Sequence, residues 1–208
     1  ALYQRAIEEH EELFGRGHWK IGKLLEELAE VYKAEGNFAM SESLYQRAVP
    51  IYEIKKGRGS DWTSSVLTHL ADLYMESQDH RKAKLLYQKV LETRKRLLSA
   101  ADASIGYSLY KLGSFNYRTG EYEHAEQFYL EAIAVWEKEK VFGPHYPNIA
   151  EALDDLGQIY RDRRDYMKAE ASLVRALDIA TKVRGPDHPD TALILSHLAN
   201  VYTDRGQY

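Results

Sequence analysis

A leucine followed by a small residue recurs along the chain at nearly constant intervals of 42, 42, 44 and 42 residues. In four of the five copies a tyrosine comes four positions after the leucine, and positions i, i+1 and i+4 share one face of a helix. The pattern therefore predicts one amphipathic helix per interval. The five pairs are Leu28-Ala29, Leu70-Ala71, Leu112-Gly113, Leu156-Gly157 and Leu198-Ala199.

A second stripe of small and large residues follows each leucine helix after a short turn. Ser41, Tyr45 and Ala48 show its i, i+4, i+7 spacing, which is typical of a buried helical face. Glycine is the commonest residue of the turn, but Gln78 and Arg164 occupy the same column. The sequence therefore predicts paired helices, with either strain or a different geometry at those two turns. Units that cannot bury their own apolar face must stack on copies of themselves.

These motifs resemble those of the tetratricopeptide repeat family, in the 42-residue variety found in kinesin light chains. The resemblance rests on the patterns L-[AG]-x-x-Y and G-x-[YF]-x-x-A, on the run LYQRA at residues 2–6 and 44–48, and on GPDHP at residues 185–189. It implies an all-α fold, a right-handed superhelical solenoid of antiparallel helix pairs.

We expect residues 1–208 to form a single array of such repeats. The predicted segments are the second helix of a truncated repeat with its linker at 1–17, full repeats at 18–59, 60–101, 102–145 and 146–187, and the first helix of a truncated repeat at 188–208.

Composition narrows the classes of function. The chain has 208 residues, a net charge of −4 and no cysteine, which excludes disulfides, zinc–thiolate sites and thiol nucleophiles. A nucleic-acid partner would favour a basic surface, and no apolar run is long enough to cross a membrane. We therefore expect an intracellular, cytoplasmic protein that binds neither nucleic acid nor membrane.

Catalytic and metal-binding motifs are missing from the sequence. The eight histidines include no pair with the spacing of a helical zinc site, and there is no phosphate loop or nucleophile motif. Asp154 and Asp155 are adjacent, so they point about 100° apart on a helix and form a poor acid–base pair. We expect no enzyme activity, no catalytic residues, no metal and no cofactor.

The family resemblance implies a concave groove lined by the first helix of each repeat. The residues that face away from the Leu/Tyr stripe there include more carboxylates than bases, with a set of tyrosines in the third repeat that could contact a ligand or pack inside the protein. The predicted groove residues are Glu26, Glu27, Glu30, His69, Asp72, Met75, Glu76, Tyr107, Tyr110, Lys111, Ser114, Tyr117, Arg118, Glu151, Asp154, Asp155, Gln158, Asp162, His197 and Asn200.

The predicted function is that of a scaffold or adaptor for protein–protein interaction. Its partner would be a protein or peptide whose extended or helical segment carries basic and apolar or aromatic residues. Kinesin light chains typically have asparagine just before the leucine column, where this chain has Glu27, His69, Lys111, Asp155 and His197. Two alternatives are a regulatory or sensor module of a larger multidomain protein and self-association through the ends of the array.

Overall fold

The computed structural model of the chain describes residues 2–56, 61–138, 140, 143 and 146–206, with residues 4, 55 and 56 described by their backbone alone. These residues form helices and no strand, which confirms the all-α prediction. The helices are α1 (Leu2–Phe14), α2 (Trp19–Ala34), α3 (Phe38–Lys56), α4 (Asp61–Glu76), α5 (His80–Leu97), α6 (Ala103–Arg118), α7 (Tyr122–Trp136), α8 (Pro147–Asp162), α9 (Tyr166–Arg184) and α10 (Pro189–Asp204).

The helices belong to two units, Ala1–Leu97 and Leu98–Tyr208. In the first unit each of α1 to α4 packs on the helix that follows it, and in the second unit α6 to α9 do the same. Within each unit a helix with the Leu/Tyr stripe alternates with a helix of the second kind, as the repeat predicts. The repeat boundaries themselves stay a prediction.

Close approach within each helix pair depends on the absence of side chains at particular positions. A Cβ atom on Gly113 would lie 2.7 Å from the Tyr129 ring, which explains the small residue after each leucine. A second small column was not recognised in the sequence. It includes Gly106, where a Cβ would lie 2.4 Å from Nε1 of Trp136. That indole is fully buried and donates a hydrogen bond to the carbonyl of Ala103 at 3.1 Å.

The turns between paired helices all use the left-handed backbone region. Gly36 and Gly120 have φ values of 75° and 82°, and Gln78 and Arg164 have values of 66° and 61°. The geometry is therefore the same in every copy, and the two non-glycine residues carry strain because their Cβ atoms crowd the backbone.

Tyrosines in the Leu/Tyr stripe link the first helices α4, α8 and α10 to the second helix of the preceding repeat. Their role in this column is structural, because their hydroxyl groups donate hydrogen bonds to glutamates. The bonds are Tyr74 to Glu42 at 2.6 Å, Tyr160 to Glu126 at 2.8 Å and Tyr202 to Glu170 at 2.9 Å. In the third repeat this column holds Asn116, whose amide instead donates to the carbonyl of Leu112 at 2.6 Å.

Candidate partner-binding surface

A cavity of about 680 Å³ opens between the first helices α2 and α4 of the first unit, with Tyr52 of α3 in its wall. Three aromatic rings form much of its lining, and carboxylates stand around them. We call it the aromatic pocket. Its residues are Trp19, Lys23, Glu26, Glu27, Glu30, Tyr52, Asp61, Trp62, Ser65 and His69.

Trp62 contacts the other two rings edge to face. The centroid of Trp62 is 5.5 Å from that of Trp19, at an interplanar angle of 89°, and 5.5 Å from that of Tyr52, at 65°. Such contacts hold aromatic rings in fixed orientations. Tyr52 is 2% exposed whereas Trp62 is 40% exposed. The buried Tyr52 ring therefore supports the Trp62 ring, which is partly exposed to solvent.

Glu26 lies at the centre of the polar contacts in the aromatic pocket. Its carboxylate accepts a hydrogen bond of 2.5 Å from the Tyr52 hydroxyl and lies 3.2 Å from Nδ1 of His69. Burial raises the pKa of Tyr52, and the hydrogen bond to Glu26 raises it further. This hydroxyl therefore stays protonated and donates to the carboxylate.

The other carboxylates of the pocket differ in how firmly they are paired. Glu30 is 2.5 Å from the ammonium of Lys33, and Asp61 is 3.0 Å from the guanidinium of Arg94. Glu27 makes a looser contact, at 4.0 Å from the lysine four residues earlier, and its side chain is 43% exposed. Glu27 is therefore well placed to meet an incoming positive charge.

The second unit has a smaller cavity of about 230 Å³ between its first helices α8 and α10. Asp154 and Asp155 stand there at the repeat positions that Glu26 and Glu27 hold in the first unit, but the position of Trp62 is taken by Asp190. The lining consists of Tyr110, Ala150, Glu151, Asp154, Asp155, Arg184, Asp190, Leu193 and Ile194. This cavity lacks the tryptophans of the aromatic pocket, and it includes an arginine of the chain itself.

Asp155 is a largely buried carboxylate of the second unit. Burial raises its pKa to about 6, although the neighbouring hydroxyl groups of Tyr129 and Tyr110 oppose the shift. The Tyr129 hydroxyl is itself fully buried and faces Asp155 and Ser114 without a well-aligned hydrogen bond. The adjacent Asp154 also has a raised pKa, because its burial outweighs the bond to His197.

Neighbouring first helices use the same contact in both units. The residue two positions before the leucine column meets the residue one position before that column in the next repeat. The pairs are Glu26 with His69 at 3.2 Å, Asp154 with His197 at 2.8 Å, and Tyr110 with Asp155. These predicted groove positions therefore hold adjacent repeats together as well as facing the surface.

Two predicted groove residues pack against other side chains of the protein, to different extents. Met75 is 3% exposed and belongs to the core, because α4 packs on both α3 and α5 and has a wide buried face. Tyr110 packs on Tyr129 and Trp136, with ring centroids 5.5 and 6.1 Å away. Tyr110 is therefore a packing residue that also lines the smaller cavity, and its contact with a partner stays a prediction.

The remaining predicted residues are distributed as follows. In the first unit, Glu26, Glu27, Glu30 and His69 line the aromatic pocket, Asp72 accepts from Tyr87, and Glu76 is 3.9 Å from Lys33. In the second unit, Glu151, Asp154 and Asp155 line the smaller cavity, and His197 pairs with Asp154. Lys111 lies over the ring of Tyr107, and Tyr117 contacts Tyr122. Gln158 accepts a hydrogen bond from Arg161. Ser114 is half-buried, whereas Arg118, Asp162 and Asn200 are exposed.

Sequence reasoning missed the aromatic residues of the pocket. Trp62 precedes His69 by seven residues, a spacing that places both on the same face of α4. This signal was present in the sequence, but Trp19 and Tyr52 lie on two other helices and join the site only through packing. Among the residues that the structure describes, no group of three or more histidines and carboxylates could hold a metal ion. In that same part of the chain no helix combines the length and the apolar character needed to cross a membrane.

Comparison with known proteins supports the assignment of the fold. The chain is similar to the structure of BtubC (BKLC) from P. vanneervenii, with a TM-score of 0.84 and 24% identity over 100% of this chain and 83% of that one. It is also similar to a putative kinesin light chain from Podosopora anserina with nearly identical TPR-like repeats (TM-score 0.72, 19% identity, 91% and 89% covered). MamA protein is a more distant match (TM-score 0.57, 17% identity, 89% and 83% covered).

A comparison with curated proteins found no match to this sequence. The family model described as tetratricopeptide repeat matches residues 20–96, 104–173 and 155–208, which together make up most of the chain. Proteins built from these repeats generally mediate protein–protein interactions, and their folds are typically scaffolds rather than enzymes. The chain belongs to the tetratricopeptide repeat family.

Proposed function

We propose that the chain is an interaction scaffold whose first helices bind an extended or helical segment of a partner protein in an intracellular, cytoplasmic setting. The observation that carries the proposal is the aromatic pocket, a concave site with a half-exposed tryptophan. Ligand sites of this kind combine an apolar lining with a few polar groups, and volumes of about 300–1,000 Å³ are usual. Trp62 offers a large and rigid contact surface, as anchor residues of interfaces do.

Charge supports a partner with basic residues beside its apolar or aromatic ones. Among the described residues, four carboxylates and one lysine line the aromatic pocket. Exposed carboxylates steer a basic segment toward the surface and reject an acidic one. Binding should weaken as salt rises, because charges in solvent are screened over about 10 Å at 0.1 M salt.

A random peptide library displayed on phage and selected against the 208-residue chain tests this function. Selected peptides are then measured by calorimetry against the chain and against Trp62→Ala. We expect that substitution to weaken binding about tenfold or more, as loss of a central aromatic anchor does. The matched control is Leu85→Ala, which removes an exposed apolar side chain of α5 outside the pocket and should leave binding unchanged.

A selection that enriches no peptide would contradict the proposal. Binding that is insensitive to Trp62→Ala would contradict it as well, provided that circular dichroism shows the variant to be folded.

A further inference from the structure

We infer that the aromatic pocket receives the guanidinium group of an arginine from the partner segment, an inference that rests on the proposed function and specifies its anchor. Three observations support it: the negative charge left in the pocket, the arrangement of its rings, and the use of an arginine by the chain itself in the corresponding cavity of the second unit.

Among the residues that the structure describes, the negative charge of the pocket is only partly neutralised. Glu30 and Asp61 have cationic partners in Lys33 and Arg94. Glu26 instead accepts from the neutral Tyr52 hydroxyl and faces His69, and Glu27 has only a loose contact with a lysine. A cation that enters between Glu26 and Glu27 would therefore meet charge that the described residues do not fully balance.

The rings favour arginine over lysine. A guanidinium is planar and weakly hydrated, so it can stack on an aromatic face while its N–H groups reach a carboxylate in pairs. The ammonium group of lysine is more strongly hydrated, so it would lose more hydration free energy on leaving water. Trp62 and Trp19 lie at right angles to each other, and carboxylates line the same pocket. One planar cation could therefore stack on an aromatic ring and donate hydrogen bonds to a carboxylate.

The cavity is larger than a single side chain requires. At about 680 Å³ it has room for the arginine and for an apolar neighbour in the partner segment. The anchor is therefore an arginine next to an apolar residue rather than an isolated charge.

The second unit shows the same chemistry within the chain. Arg184 lines the smaller cavity, where its guanidinium is 2.6 Å from Glu151 and also pairs with Asp190. This surface between first helices thus already holds a guanidinium among carboxylates where no tryptophan is present. In the first unit the position of Glu151 is taken by Lys23, and that of Asp190 by Trp62.

Four short peptides test the inference by proton–nitrogen NMR. The probe is acetyl-Gly-Ser-Arg-Leu-Gly-amide, compared with versions in which citrulline, lysine or glutamate replaces the arginine. Citrulline has nearly the shape of arginine but no charge. We expect the arginine peptide to shift the indole N–H signals of Trp19 and Trp62 and to bind about tenfold more tightly than the citrulline peptide, with lysine between them and glutamate weakest.

Variants of the protein locate the charge that matters. Glu27→Gln should weaken the arginine peptide about three- to tenfold and leave the citrulline peptide unchanged, whereas Glu12→Gln, an exposed position on α1 outside the pocket, should change neither. Equal binding of the citrulline or glutamate peptide would overturn the arginine inference and leave the proposed function standing. If neither these peptides nor the phage-selected ones shift the two indole signals, both fail.

Discussion

Single residues of this chain carry strain that the repeat would otherwise avoid. Arg164 has a φ of 61° in a turn where three other repeats have glycine and one has Gln78. A side chain in the left-handed region costs about 1 kcal/mol or more, and glycine adopts it freely. We predict that Arg164→Gly stabilises the protein by about 0.5–1 kcal/mol, measured by urea denaturation followed by circular dichroism.

The converse substitution is the control for this effect. Gly120→Arg introduces the same strain at a turn with a φ of 82° and should destabilise by a similar amount. Equal stability of both variants and the parent would show that the turns relax.

Asp155 should make stability depend on pH in a direction unusual for a carboxylate. Its pKa of about 6 exceeds the ordinary value of 3.8, so the folded state binds the proton more tightly than the unfolded chain does. The stabilising contribution is complete below pH 3.8 and is lost as the pH rises through 6. We predict that Asp155→Asn raises the free energy of unfolding at pH 7 by about 1–3 kcal/mol.

The advantage of Asp155→Asn should shrink toward pH 4, because the parent carboxyl is then protonated and is as neutral as the asparagine amide. Urea denaturation at pH 4 and pH 7 measures both values. Asp162→Asn, an exposed position on the same helix, should show no such dependence on pH. A gain for Asp155→Asn that is the same at both pH values would show that the charge is not its cause.

At the scale of the helix pair, glycine sets how closely two helices pack. A methyl group on Gly106 would collide with the buried indole of Trp136, whose Nε1 would be 2.4 Å away. We predict that Gly106→Ala destabilises the protein by about 1–3 kcal/mol, as overpacking of a core does, with thermal denaturation as the measurement. Gly17→Ala, where a Cβ meets nothing within 4 Å, should have little effect.

A second substitution separates overpacking from other causes. Trp136→Phe makes room beside residue 106, so Gly106→Ala should cost less in that background than in the parent. An unchanged cost would mean that the indole is not the obstacle.

At the scale of the whole molecule, one contact recurs between neighbouring repeats in each unit. The pairs Glu26–His69 and Asp154–His197 occupy the same repeat positions, but the second is better shielded, with side chains 14% and 23% exposed against 18% and 40%. We predict a larger coupling energy for Asp154–His197 than for Glu26–His69, which should stay within about 0.2–1 kcal/mol. Double-mutant cycles with Asn or Gln replacements, read by urea denaturation at pH 6, measure both; a larger value for the exposed pair would contradict this.

The sequence predicted the repeating features and missed those formed by several helices together. The Leu/Tyr stripe, the paired helices and the turn column follow from local periodicity, which one helix suffices to express. Trp19, Tyr52 and Trp62 belong to three helices, so their contact depends on packing that no single stripe shows. Met75 was misplaced for a related reason, because α4 is covered by helices on two sides and its buried face is wider than the Leu/Tyr stripe.

The positions of the tryptophans give the protein a natural optical reporter. The chain has three, of which Trp136 is fully buried in the second unit while Trp19 and Trp62 line the aromatic pocket of the first. Collisional quenchers should therefore quench only the fluorescence of Trp19 and Trp62, in the first unit. Because the pocket is lined with carboxylates, the cation caesium should reach these indoles more readily than the anion iodide. Emission spectra of the unlabelled protein can thus report on this one surface.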